Sequence, residues 1–319
     1  DENGNISEYE DISEYVKVGQ YVNYNPTMAD KNGNQVEESK LRYISPTGSG
    51  TEHGNGYESE EEEGGQTYTA KESTKWRVLS IESGRVELIS EEPIKKDEIN
   101  QDDGNFVMSG AVGYLYAERE LNEICKIYGY GYGADTSHVT EYSYGGPLDG
   151  ELTEKITGSG ARSITVEDID KKAGISTEED YKAINGSYGS TTNPTVDIWY
   201  PTITTPDGSS GLAGVKNLKN TYYTYDKSKI SNLDMQNMLF NGNYWLASYC
   251  IDAYSSSSNF SVRRVNSNDM QALGLCNGET TKFYVDTYRI YAVRPVVILK
   301  SNFIDTSTKY ETEGHWNLK

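Results

Sequence analysis

The sequence predicts an α+β fold, a twisted antiparallel sheet with one main helix, a shorter second one and long loop inserts. Three observations predict it. Residues 76–90 have the pattern of a tight hairpin, residues 113–128 switch to a helical period, and apolar segments recur near the carboxyl end. A chain of 319 residues can bury a substantial core without metals or disulfides. It reads as a single domain over 1–319, with inserts near 27–71 and 174–219 and a display segment at 241–300.

In order, Val16, Val18, Tyr21 and Val22 enter a strand that stops at the turn Asn23-Tyr24-Asn25-Pro26. Residues 27–71 hold few aliphatics and the acidic run 58–63, which predicts a long surface loop. Asp30, Asn32 and Asn34 have calcium-loop spacing. Gln35 stands where that loop requires Gly, and Leu41 where it requires a bidentate Glu, so no metal is expected. Trp76, Val78 and Ser80 then alternate with Arg77, Leu79 and Ile81, and Ser83-Gly84 supplies the positive φ of a hairpin turn.

Ala117, Leu121, Ile124, Cys125 and Tyr128 form one helical stripe, ended by Gly129-Tyr130-Gly131-Tyr132-Gly133. Cys125 is therefore expected in the core. Thr165 is placed to cap a short helix carrying Glu167 and Asp168 in its first turn. Residues 174–219 read as an irregular excursion around Trp199-Tyr200-Pro201, and 233–240 as one or two helical turns stopped by Asn241-Gly242.

The last third combines a frame with contents of a different kind. Tyr244-Trp245-Leu246-Ala247-Ser248, Phe260-Ser261-Val262-Arg263-Arg264-Val265 and residues 291–299 are apolar framework. Residues 249–259 and 266–289 are Ser-, Asn-, Tyr- and Asp-rich, with no period, and are expected as loops. In 260–265 the shared face of Phe260, Val262 and Arg264 conflicts with burial of Val265, which requires a bulge or cover on both faces. Arg294 shares parity with Val296 and Ile298, so its guanidinium should pack over the sheet on a carboxylate or carbonyls. Pro295 marks an edge or a break.

Composition removes several functions. Only 35% of residues are hydrophobic, and 27 Tyr stand against 5 Phe, so Tyr rings supply much of the buried area and of any binding surface. A net charge of −20 with no basic stripe argues against nucleic acid and anionic membranes. No run approaches the ~20 apolar residues of a membrane helix. The start at Asp1 suggests an anchor helix N-terminal to it, removed from this segment. Cys125, Cys250 and Cys276 form no CxxC motif, and His53, His138 and His315 no metal spacing.

The order of the Val-Asn-Tyr strand, the Trp-Arg-Val-Leu hairpin, Leu121-Asn122-Glu123-Ile124-Cys125, Ala161-Arg162-Ser163, Tyr244-Trp245-Leu246-Ala247-Ser248 and Val293-Arg294-Pro295-Val296-Val297 resembles a group of bacterial surface proteins. Their precursors often begin with a prepilin-like anchor helix. Their C-terminal part is similar to the C-type-lectin fold, which formylglycine-generating enzymes share with the variable proteins of diversity-generating retroelements. Adenine mutagenesis of Asn-rich templates yields mostly Asn, Ser, Tyr, Asp, Cys, Ile, Gly and Ala, and residues 248–259 hold almost nothing else; Met270, Gln271, Glu279 and Lys282 fall outside that set.

The resemblance implies an extracellular, cell-surface module, not an enzyme and without cofactor, whose partner is a protein or glycan on another cell, phage or host surface. Its exposed ligand-binding residues would be Tyr249, Ile251, Ala253, Tyr254, Ser256, Ser258, Asn259, Arg264, Asn268, Phe283, Tyr284 and Arg289. Aromatic and Arg anchors among Ser and Asn have the composition of a paratope. Two alternatives stand beside it: a structural pilin-like subunit of a surface filament, and a formylglycine-generating-type enzyme, which would use Cys250 and Cys276.

Overall fold

The computed structural model describes residues 11–43, 66–82, 84–95, 106–144, 152–185, 198–201, 212–215, 220–253, 256–279, 283–285 and 288–319. The first part holds β1 (Tyr21–Val22), β2 (Lys40–Tyr43), β3 (Gln66–Thr69), β4 (Trp76–Glu82), β5 (Arg85–Ser90), β6 (Phe106–Ser109), α1 (Gly110–Leu115) and α2 (Ala117–Lys126). Then come β7 (Thr140–Tyr144), β8 (Leu152–Ile156), β9 (Ala161–Ser163), α3 (Val166–Ala173), α4 (Glu178–Asn185), β10 (Ile198–Pro201), β11 (Leu212–Val215), β12 (Tyr225–Asp226) and α5 (Leu233–Leu239). The last part is β13 (Tyr244–Ala253), β14 (Ser257–Val265), β15 (Asp269–Glu279), β16 (Phe283–Val285), β17 (Tyr288–Tyr291), β18 (Pro295–Lys300) and α6 (Tyr310–Glu313). This is a mixed α+β structure of mainly antiparallel sheets.

The hairpin β4–β5 forms as its alternation predicts, with Gly84 at φ 84° in the turn and a bulge between Val78 and Ser80. It lies in a sheet ordered β1-β4-β5-β18-β9. Val78, Val86, Leu88, Val297 and Leu299 fill one core cluster, while Leu79, Ile89 and Val296 belong to a second, so both sheet faces are covered. β18 is central rather than an edge. Pro295 is tolerated because it opens the strand, where a missing N–H interrupts least.

The helical stripe is present, with Ala117, Leu121, Ile124 and Cys125 buried on α2. Tyr116 separates it from α1, so the expected single helix is two. α2 stops at Lys126, before the glycine run, and Gly129 is needed for a steric reason: a Cβ there would sit 2.3 Å from the Ala161 nitrogen. α3 is capped as expected, the Asp168 carboxylate accepting from the Thr165 N–H at 2.8 Å. Arg294 is fully buried and donates to the carbonyls of Ser90, Glu91, Met238 and Leu239. The segment at β1 pairs with residue 316: the Asn23 N–H donates to the Trp316 carbonyl, and the Trp316 N–H to that of Tyr21.

Three loop expectations are corrected. Flanks of the 27–71 insert pair as β2–β3, and its acidic run lies outside the described residues. The 174–219 excursion contains α4 and the hairpin β10–β11. α4 starts at a cap in which Asp180 accepts from the Thr177 N–H, and Tyr181 and Ile184 pack on the second core cluster. Most of 249–259 and 266–279 is not loop but three long strands in a sheet ordered β12-β15-β14-β13, with β16 paired to β15. The parity conflict in 260–265 resolves as cover on both faces: Phe260 and Val262 enter one core cluster, Val265 the other.

Candidate ligand-recognition face

In an antiparallel ladder, directly opposed residues share a face, so register assigns every side chain of β13–β15. Ile251 pairs with Phe260, which pairs with Cys276, and Ala253 pairs with Ser258. This face packs on α1, where Tyr114 lies 5.5 Å from the Phe260 ring and 5.0 Å from that of Tyr249. Ile251 (2% exposed), Ala253 (4%) and Ser258 (0%) are therefore core and not display, which corrects the expectation for all three. Tyr249 is half-buried, its hydroxyl donating to the Leu115 carbonyl at 2.8 Å. Its ring is a structural wedge more than a free anchor.

The opposite face carries what the sequence reading had shifted by one residue. Asp252, Asn259 and Asn277 are register partners across β13, β14 and β15, and all three are half-buried. Neither the Asn259 nor the Asn277 amide has a hydrogen-bond partner among the described residues, and Asn277 Oδ1 is shielded from solvent as well. On β16 the backbone of Tyr284 is the register partner of that of Asn277. Beside it Gly274 pairs with Ser261, and a Cβ at Gly274 would meet Asn259 Cβ at 3.8 Å and Ser261 Oγ at 3.9 Å. The missing side chain leaves a notch next to the two amides. Asn259 and Tyr284 were expected here; Asp252 and Asn277 were missed, and their signal was parity opposite to the apolar Ile251 and Phe260.

The remaining expected residues do not join one patch. Ser256 and Asn268 are exposed, but they flank opposite ends of the nine-residue strand β14. That sets them roughly 30 Å apart at a strand rise of about 3.3 Å per residue. Asn268 belongs to a turn in which its N–H donates to Asn266 Oδ1. Arg264 is half-buried and engaged, Nη1 donating to the Tyr291 hydroxyl at 2.8 Å and Nη2 to Gln271 Oε1 at 2.7 Å, over the Tyr291 ring. Phe283 pairs in register with Gly278, and Arg289 lies on β17 opposite Met108 of β6, outside the sheet of the row. Tyr254 lies outside the described residues.

Behind the row, a strap at 220–225 closes the β13 edge. The Thr221 N–H donates to the Ile251 carbonyl, Thr221 Oγ1 accepts from the Ile251 N–H, and Asn220 Nδ2 donates to the Ala253 carbonyl. Buried Arg263 holds the strap by donating to the Thr221 and Tyr223 carbonyls, its guanidinium 3.9 Å from the Tyr223 ring centroid. Tyr223 and Tyr225 both donate to the buried Asp170 carboxylate. Burial pushes that carboxyl up against the opposing pull of the two hydroxyls.

A cleft of 390 Å³ opens on the other side of β13, between α2, β7 and the start of α3, with Tyr249 on its wall. Most of its polar groups are already matched. Asn122 accepts from the Ser163 N–H, Ser248 Oγ from the Val166 N–H and Glu118 from the Ser143 N–H, while Arg162 is paired with Glu87 and Asp168. Cys250 and Cys276 are buried, and neither is in a disulfide. They lie on the strands flanking β14 and on opposite faces, about two strand spacings or 10 Å apart, beyond a bridge's reach of about 7 Å. Burial also pushes the Cys250 thiol up, away from the reactive thiolate. Among the described residues no group of His, Cys, Asp and Glu could hold a metal ion, and no described helix is long and apolar enough to cross a membrane. No protein-family model, curated protein or solved structure matches the chain.

Proposed function

We propose that this chain is a cell-surface ligand-binding module of C-type-lectin-like fold, recognising a protein or glycan partner through the outer face of β13–β15. The pairing of residues 21–23 with Trp316, the hairpin-based sheet packed on α2 and the second sheet in the C-terminal part support the fold assignment. One observation carries the binding reading: two half-buried amides, Asn259 and Asn277, stand opposite each other with no hydrogen-bond partner among the described residues. Buried polar groups in folded proteins are nearly always paired, because an unmet one costs about 1–3 kcal/mol. Each amide offers two donors, and Asn259 also an acceptor oxygen that is not shut off from solvent, so a ligand laid on this row would meet these groups. The resemblance to retroelement variable proteins, taken from the sequence motifs, implies variation in the same strands, although several of the diversified-looking positions are core.

The test is a screen of the purified chain against immobilised glycans and displayed peptides. Ligands selected by the wild type should bind at least about tenfold more weakly to Asn259→Ala and Asn277→Ala, a loss of about 1.4 kcal/mol, with the unfolding midpoint unchanged. Equal binding by these variants, or no ligand from either screen, removes the reading.

A further inference from the structure

A second pocket, of 270 Å³, lies away from the amide row, where α3 crosses β4, β5 and β9. Its wall carries Glu82, Glu87, Arg162, Glu167, Asp168, Lys171 and Lys172 over Leu79 and Ser80. Most of these charges are committed. Arg162 is held by Glu87 at 2.9 Å and Asp168 at 2.7 Å, Ser80 donates to Glu87, and Lys171 is paired with Glu82. Lys172 and Glu167 are the exceptions, and Lys172 is the one cation of the two: it is half-buried, and among the described residues it has no ion pair and no hydrogen bond. We propose that Lys172 is a reactive amine and that the pocket takes small neutral aldehydes, which it binds covalently as an imine.

The geometry meets the requirements of that chemistry. An amine tied to a carboxylate stays protonated and cannot attack, which disqualifies Lys171 next door. Lys172 has no such partner. Burial and the adjacent Lys171 ammonium depress its amine below the ordinary lysine value, outweighing the opposite pull of Glu87, Asp168 and Glu82. Neutral Nζ attacks the carbonyl carbon, a C–N bond forms, and the nitrogen proton passes to the former carbonyl oxygen. Loss of that hydroxyl with the remaining nitrogen proton, as water, leaves the imine, so no oxidant or reductant is needed. Four carboxylates line the pocket against three cations, which disfavours anionic carbonyl compounds.

The experiment exposes the whole chain to glyceraldehyde with cyanoborohydride and maps the alkylated lysines by mass spectrometry. Lys171 serves as internal reference, one residue away on the same helix. Lys172 should be alkylated several-fold faster than Lys171 at pH 7, because burial keeps more of it neutral while the Glu82 pair holds Lys171 protonated. The ratio should narrow toward pH 9, and Lys172→Arg should lose the fast phase. Equal or faster labelling of Lys171 overturns the reactive amine, and faster labelling by glyoxylate than by glyceraldehyde overturns the neutral ligand class. Neither outcome depends on the amide row.

Discussion

Asn259 on β14 and Asn277 on β15 stand directly opposite each other, and neither amide has a hydrogen-bond partner among the described residues. A residue kept for folding would not be left so. Asn277→Val removes an unmet polar group and adds a β-branched side chain to a strand. Stability in urea should stay level or rise by up to about 1 kcal/mol. A loss larger than that would show that the amide is satisfied and structural.

Arg294 behaves in the opposite way, since its guanidinium closes four main-chain carbonyls on two segments, Ser90–Glu91 and Met238–Leu239. It ties the end of β5 to α5 across the mouth of β18. Arg294→Met strands those carbonyls in the core and should cost about 3 kcal/mol or more in chemical denaturation.

Two buried aspartates should respond to pH with opposite sign. Burial raises the Asp168 carboxyl, but Arg162 and the Thr165 N–H pull it further the other way, to below its ordinary value of 3.8. The stability it contributes is present above 3.8 and is lost as pH falls through its folded value. Asp170 is raised by burial, so its contribution is complete below 3.8 and is lost as pH rises through its folded value. In urea titrations from pH 3 to 7, the advantage of wild type over Asp168→Asn should grow with pH. The advantage over Asp170→Asn should shrink.

What was legible in the sequence was local. The hairpin at Ser83-Gly84, the α2 stripe with Cys125, the Thr165 cap and the packed guanidinium of Arg294 each follow from a few neighbouring residues, and each is present. The phase of β13–β15 was not legible. Register shifts between Trp245 and Tyr249 on β13, and opposite Phe260 and Ser261, where Leu275 is extra on β15. Small residues such as Ala253 and Ser258 carry no apolar period to reset it. One residue of slip exchanged Ile251 for Asp252 and admitted buried Ser258 beside Asn259. The strands themselves were hidden because their Ser- and Asn-rich composition resembles that of loops, while their burial comes from both faces.

Two glycines should separate a steric need from an open notch. At Gly129 an added Cβ would lie 2.3 Å from the Ala161 nitrogen and 2.7 Å from the Gly160 carbonyl carbon, so backbone must move. Gly129→Ala should therefore cost about 2 kcal/mol or more by overpacking. At Gly274 the nearest atoms would be at 3.8 and 3.9 Å, ordinary contact. Gly274→Ala should leave stability within about 0.5 kcal/mol and weaken any ligand seated beside the amides.

The decisive comparison is between neighbours of opposite parity. Phe260 is fully buried against Tyr114, whereas Asn259 is half-buried and its amide has no hydrogen bond to lose among the described residues. Phe260→Ala should cost about 3–5 kcal/mol through lost burial and a cavity, and Ile251→Ser should cost a comparable amount. Asn259→Ser should change stability by no more than about 0.5 kcal/mol. Urea denaturation of these three variants reads the parity without any ligand. A costly Asn259→Ser beside a mild Phe260→Ala would turn the sheet over and place the recognition face on the side now assigned to α1.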